Sequence, residues 1–230
     1  MKTDKPAVRR RNSAEDTRRK VLDVVVQTVT EIGYYKASSN EIARRAGVTW
    51  GTIQHLFGSR DQLMLEVVNH IAGKMEASIG SSVVIGETLE ERLENILDIM
   101  AESYDSDVYL VQMQILLELS VNPRMLALAE RAIDRENGDT FDRLAQPLLA
   151  KAIGNLPADS DLAYYVFMTF RGFLISSVLS RRIARLPKGA LNTFMGKSGN
   201  LSVSIQRKFL VQGVAASIRA EAQKRGMEIA

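Results

Sequence analysis

Residues 38–57 read SSNEIARRAGVTWGTIQHLF, and they leave the chain few ways to fold. Ser38 and Glu41 have the S-x-x-E spacing of a capping box, which starts a helix by satisfying its first backbone N–H groups. Ile42, Ala43 and Ala46 then supply one apolar side, and Gly47 ends the helix at a point where left-handed backbone costs nothing. Thr49 can cap the next helix, whose Ile53 and Phe57 stand four apart on one inner face. Two short helices joined by an Ala-Gly-Val turn, with polar residues on the outer side of the second, have the shape of a helix-turn-helix. That device sets its second helix in the major groove of DNA.

The flanking sequence supports the same small unit. Leu22, Val25, Val29 and Ile32 keep helical spacing in a helix expected from Ser13 to Gly33. Ser59 and Gln62 form a second capping box that opens a longer helix through Leu63, Val67 and Ile71. The core available to about 60 residues is small, so the unit is expected to lean on the remainder. Helical patterns continue at roughly 87–104, 106–120, 123–153, 159–185 and 202–225, broken at 80–86, Asn122-Pro123, 154–159 and 186–201. The last break holds Pro187, Gly189, Gly196, Gly199 and Asn200 and is the best candidate for a mobile loop. Val83-Val84-Ile85 is too short to stand as a strand. The expected fold is all-α: a basic disordered arm at 1–12, a helix-turn-helix domain at 13–75, and a larger helical domain at 76–230.

Charge and composition narrow the function. Residues 1–60 carry 12 Lys+Arg against 6 Asp+Glu, and the remainder carries 18 against 21. The basic front suits a polyanion, or is a chance excess of arginine in a tail. The absence of cysteine excludes disulfides and thiolate metal sites. With only His55 and His70, no histidine metal cluster is expected. No catalytic constellation or phosphate-cradling glycine motif is evident, so neither an enzyme nor a cofactor is expected. The polar, basic start shows no signal peptide, and the apolar stretch 166–179 is interrupted by Arg171, so no membrane span is expected and the location reads as cytoplasmic.

The segment 17–68 resembles the N-terminal DNA-binding domain of TetR-type transcriptional regulators. The resemblance rests on Thr17-Arg18, Gly33-Tyr34, Ile42-Ala43, Ala46-Gly47-Val48-Thr49, Gly51-Thr52 and Phe57-Gly58-Ser59-Arg60 in their combined spacing. It covers about a quarter of the chain. Two positions depart from the family's usual pattern: Trp50 replaces a common Lys, and Gln54 replaces a common Tyr that touches the DNA backbone.

The DNA-facing candidates follow. Thr49, Thr52 and Gln54 offer hydrogen-bonding groups for bases or phosphates, and Gln54 can pair bidentately with adenine. Gly51 and Thr52 keep the helix slim where it meets DNA. Trp50 either contacts a thymine methyl or the sugar backbone, or packs on its own domain. Thr17, Ser38 and Arg60 stand at or just before helix N-termini, which favour anions. Arg44 and Arg45 are phosphate candidates, or one of them only solvates its helix. His55, by the resemblance, contacts phosphate or else a partner within the domain, while His70 has no special neighbour. Arg9, Arg10 and Arg11 can reach a minor groove, or form only a solvated tail.

The resemblance also implies a homodimer that binds a palindromic operator in double-stranded DNA. Phe209, Val211, Val214, Ala215 and Ile218 in the final helices would join a four-helix dimer bundle, or else close the monomer core. The body would hold a pocket for an unidentified small-molecule effector. Candidates are Tyr104, Tyr109, Gln112, Met113, Leu116, Phe141, Phe167, Met168 and Arg171, any of which can equally be plain core. The expected function is a ligand-released repressor. The alternative is a DNA-binding regulator without a small-molecule effector, controlled by another protein or acting as an activator.

Overall fold

The computed structural model describes residues 5–124, 126, 127, 140–154, 160–183, 203–227 and 229, with the side chains of 5–13, 140–144, 160 and 183 outside that description. Among the described residues every regular element is a helix: α1 (Lys5–Ile32), α2 (Ser39–Ala46), α3 (Trp50–Phe57), α4 (Arg60–Ser81), α5 (Leu89–Tyr104), α6 (Asp107–Val121), α7 (Thr140–Ile153), α8 (Ser160–Ile183) and α9 (Val203–Lys224). The all-α class read from the sequence is the class observed. The break at 186–201 lies outside the described residues.

The chain divides into two compact units, Met1–Lys74 with Asp107–Arg135, and Met75–Ser106 with Glu136–Ala230. In the first, α1 contributes buried Val21, Leu22, Val25 and Val29, and α2 contributes Ile42, Ala43 and Ala46. From α3 come Ile53 and Phe57, and from α4 Leu63, Met64, Val67 and Ile71. Each large side chain buried this way stabilises the unit by about 1.5–3 kcal/mol. α6 packs on α1 and adds Tyr109, Val111, Ile115 and Leu119. The grouping thus sets α6 with the helix-turn-helix helices, inside the stretch that the sequence reading expects to be the C-terminal domain. The small helix-turn-helix core does lean on the later chain, and the helix it recruits is α6.

The expected arm at 1–12 is corrected in part. The helical backbone of α1 begins at Lys5, not at Ser13. Pro6 is tolerated in a first helical turn, where its missing N–H has no helical partner, and Ala7 and Arg9–Arg11 are strong helix formers.

In the second unit, α5, α7, α8 and α9 surround a core that includes Leu93, Leu97, Met100, Leu149, Ala152, Phe170, Val214 and Ala215. Arg207 on α9 pairs with Glu94 at 2.6 Å and Asp98 at 2.7 Å on α5, and Arg219 on α9 pairs with Glu90. Gly86, at φ 140°, turns into α5 so closely that a Cβ would lie 2.7 Å from the Arg92 amide nitrogen. α8 contains a segment, Asp161–Arg182, long and apolar enough by length and composition to cross a membrane. Its Ala163, Val166, Phe170, Leu174 and Val178 are instead packed into this unit.

Candidate nucleic-acid interface

The helix-turn-helix is built as its sequence dictates, with one exception. The Ser38 side chain accepts from the Glu41 amide at 3.2 Å, and Gly47 ends α2 at φ 69°. Thr49 caps α3 by accepting from the Thr52 amide at 3.2 Å. Ser59 and Gln62 cap α4 reciprocally, at 2.8 and 3.1 Å. The exception is Glu41. Its carboxylate does not close the expected box; it accepts from Arg44 Nε at 2.9 Å, Arg44 Nη2 at 2.7 Å and Arg45 Nε at 2.6 Å. Two guanidinium groups outbid one backbone amide because charge-assisted bonds are the stronger ones.

α3 is sharply two-faced. Ile53 is fully buried and Phe57 nearly so, while Thr49, Gly51, Thr52, Gln54 and His55 are exposed and Trp50 is half-buried. The Thr49 and Thr52 hydroxyls lie 3.0 Å apart and share a hydrogen bond. The exposed face therefore presents a hydroxyl pair, a carboxamide and an imidazole on one short helix. No Cβ is needed at Gly51, where the nearest outside atom would be Thr49 Oγ1 at 3.7 Å.

The other candidates fall into different surroundings. Ser38 is exposed but spent on its cap. Arg44 keeps 70% of its side-chain surface while paired to Glu41, whereas Arg45 keeps 23% and also pairs with Glu31. Arg44 is thus the arginine of the two that faces solvent. The Arg44 and Arg45 side chains, in that order, hold the Glu41 carboxyl at about 2. Thr17 is half-buried well inside α1, which begins at Lys5, and so does not stand at the helix N-terminus expected for it. Arg60 points inward: its guanidinium lies 4.7 Å from the Tyr34 ring centroid and donates to the Tyr34 hydroxyl at 3.0 Å. Its position before a helix N-terminus suggested an anion contact, yet the aromatic face of Tyr34 takes the cation. The side chains of Arg9, Arg10 and Arg11 lie outside the described residues.

Sequence reasoning passed over several residues that hold this surface. Arg18 on α1 donates to the Leu56 carbonyl at 2.7 Å, lies 4.5 Å from the Phe57 ring centroid, and pairs with Glu66 on α4 at 3.0 Å. Tyr35 donates to Glu118 on α6 at 2.9 Å. His70 does have a special neighbour, contrary to expectation: its Nε2 lies 2.9 Å from Asp23 Oδ1, which also accepts from Lys74 at 2.7 Å. Partial burial pushes the Asp23 carboxyl up, but these hydrogen bonds outweigh it and leave it below its ordinary value. Pairs 38 to 83 residues apart carry no local sequence signal.

The expected effector-pocket residues are divided between the two units. Tyr109 and Gln112 are buried in the first unit beside half-buried Met113, and Leu116 is exposed. Tyr104 and Phe167 meet edge-to-face in the second unit at 5.9 Å, with Arg171 6.0 Å from the Tyr104 ring and Met168 exposed. The Phe141 side chain lies outside the described residues. An apolar cavity of about 10 Å³ in the second unit is lined by Phe167 with Ile96, Met100 and Leu148. A surface cleft of about 370 Å³ in the first unit is walled by Asp23, Gln27, Thr30, Glu31, His70 and Lys74. The dimer candidates also fall into two groups. Val211, Val214, Ala215 and Ile218 are buried within their own chain, where the α5 and α8 contacts use their apolar surface, and only Phe209 of the five is exposed, at 63%.

Two helices held by an αL glycine turn, with the second exposing a polar face, define a helix-turn-helix domain. Residues 21–67 match the family model of bacterial regulatory proteins, tetR family. Residues 21–67 are thus similar to the DNA-binding domain of that family. It is 28% identical over 80 residues to the HTH-type transcriptional regulator BetI of Brucella anthropi, a match spanning 35% of this chain and 41% of that protein. The chain thus spans about two fifths of the length of the curated relatives it matches. Its fold is similar to a transcriptional regulator from Rhodococcus sp. Rha1, with TM-score 0.55 and 19% identity over 85% of this chain and 96% of that one. It is also similar to a candidate regulator from Saccharomonospora viridis solved in complex with choline, with TM-score 0.51 and 19% identity over 87% and 96%.

Proposed function

We propose that the chain is a sequence-specific DNA-binding transcriptional regulator, acting as a homodimeric repressor on a palindromic operator and released by a small-molecule ligand. The observation that carries DNA reading is the two-faced α3, with Ile53 and Phe57 buried and Thr49, Thr52, Gln54 and His55 turned outward in a TetR-type domain. In this role Thr52 and Gln54 read base edges, and Arg44 and His55 hold phosphates, which fixes the register. Support for a dimer comes from exposed apolar side chains within the second unit: Tyr164, Tyr165, Met168 and Leu179 on α8, and Val203, Ile205 and Phe209 on α9. A second copy related by a two-fold axis can cover such a surface and doubles the reading head.

Ligand release rests on the bound choline of the Saccharomonospora viridis protein, which is a fold relative. α4 runs without a break from Arg60, in the first unit, to Ser81, in the second, and so offers a covalent route between them. A ligand that favours the DNA-incompetent arrangement by about 1–3 kcal/mol weakens binding roughly 5–150-fold. The second reading is a regulator without such an effector, controlled by another protein or acting as an activator. The test measures DNA affinity and oligomeric state together for Thr52→Ala and Gln54→Ala. Weakened specific binding by an intact dimer supports the reading; unchanged binding sinks it.

A further inference from the structure

We infer that Arg18, outside the helix-turn-helix itself, is the positioning residue that sets the angle of the reading helix. This rests on the DNA-reading function proposed above. α3 is only eight residues long, and helices of two turns are marginal unless tertiary contacts hold them. Its N-terminal end is held by the Thr49 cap and its inner face by Ile53 and Phe57. Its C-terminal end carries carbonyls with no helical donor and the negative end of the helix dipole. Arg18 meets that end with one rigid fork. Nη1 donates to the Leu56 carbonyl at 2.7 Å, the guanidinium carbon lies over the Phe57 ring 4.5 Å from its centroid, and Nη2 pairs with Glu66 at 3.0 Å. A single side chain from α1 thereby joins the end of α3 to α4.

The fork explains why the residue is Arg. A Lys ammonium can pair with Glu66 or reach the carbonyl, but as a point charge it cannot do both while stacking on the ring. Arg18 keeps 29% of its side-chain surface, so it is a partly covered anchor rather than a free surface cation. Its guanidinium is committed to protein groups on three sides. Its effect on DNA therefore falls on how α3 is presented, and not on charge offered to phosphates. Base readout depends on that presentation, whereas non-specific attraction depends on charge.

The experiment uses the full chain and a duplex first selected by the wild type from a random pool, with a scrambled duplex as control. Arg18→Gln, Arg18→Lys and Glu66→Gln are compared well below their melting temperatures, each by its ratio of selected to scrambled affinity. Arg18→Gln is expected to lower that ratio about 10-fold or more, the size of one lost base-pair contact, while scrambled binding changes by less than about 3-fold. Glu66→Gln, which adds net positive charge, is expected to lower the ratio as well, and Arg18→Lys to fall between Arg18→Gln and wild type. A purely structural role moves melting temperature and leaves the ratio unchanged in all three, which overturns the inference. If Arg18→Gln does not fold, the other two variants decide on the same criterion. A wild type that selects no sequence overturns the DNA-reading proposal itself, whereas normal selection with unchanged variant ratios overturns only the role of Arg18.

Discussion

At the scale of single residues, the outer face of α3 and the Glu41 cluster behave differently toward DNA. Gln54 and Thr52 are exposed, so truncating either leaves the fold alone and removes hydrogen-bonding groups from the face. A bidentate base contact is worth about 1–3 kcal/mol, so Gln54→Ala is expected to lose roughly 5–150-fold in specific affinity in a titration with the selected duplex. Glu41 restrains two arginines at the edge of the motif. Glu41→Gln releases Arg44, leaves Arg45 paired to Glu31, and deletes a negative charge. Binding to any duplex at low salt is expected to tighten, and the salt slope to steepen by about one phosphate contact. Equal slopes for the two proteins contradict this. The Glu41 carboxyl itself is depressed from 4.5 to about 2 by Arg44 and Arg45. Its stabilising pairs are therefore complete above about pH 4.5 and lost as pH falls toward 2. A carboxyl-carbon NMR titration is expected to place its midpoint near the lower value; a midpoint near 4.5 contradicts the pairing.

At the scale of elements, the caps were legible in the sequence and the clamps were not. Ser38, Thr49 and Ser59 start helices through bonds to amides three residues on, so their chemistry is local. Gly47 ends α2 for an equally local reason, its left-handed backbone at φ 69°. Arg18, Arg60 and Tyr35 act across 38, 26 and 83 residues, and nothing in their immediate neighbours announces the partner. The same limit explains α6. Its spacing marked it as a helix, but only tertiary packing assigns it to the first unit and buries Tyr109 and Gln112 there. Gly58 offers a direct test of the α3–α4 junction. It sits at φ 82°, ψ −104°, and an added Cβ would lie 2.1 Å from the Gln62 Oε1 that caps Ser59. Gly58→Ala is expected to cost about 1–3 kcal/mol through backbone strain and a displaced cap, seen as a lowered melting temperature. An unchanged melt shows that the junction relaxes freely.

At the scale of the whole molecule, one chain joins a unit that carries the helix-turn-helix to a second unit with apolar side chains left on its surface. The apolar sides of α9 were read from sequence as surplus for a partner, but burial divides them. Val211, Val214, Ala215 and Ile218 serve the monomer, and Phe209 does not. Helical spacing shows that an apolar face exists without showing which neighbour covers it. Phe209→Asp, at 63% exposure, is therefore expected to leave helicity intact while shifting sedimentation toward monomer, with loss of tight operator binding. A dimer that survives this change and the companion Tyr164→Asp assigns the interface elsewhere. The central claim is that the chain reads DNA as a two-fold pair of α3 helices. Selecting bound duplexes from a random pool with the full chain tests it most directly. The account predicts an enriched inverted repeat with half-sites about 34–36 Å apart or a multiple of that spacing. A pool that emerges unenriched, or enriched in a single unrepeated motif, contradicts it.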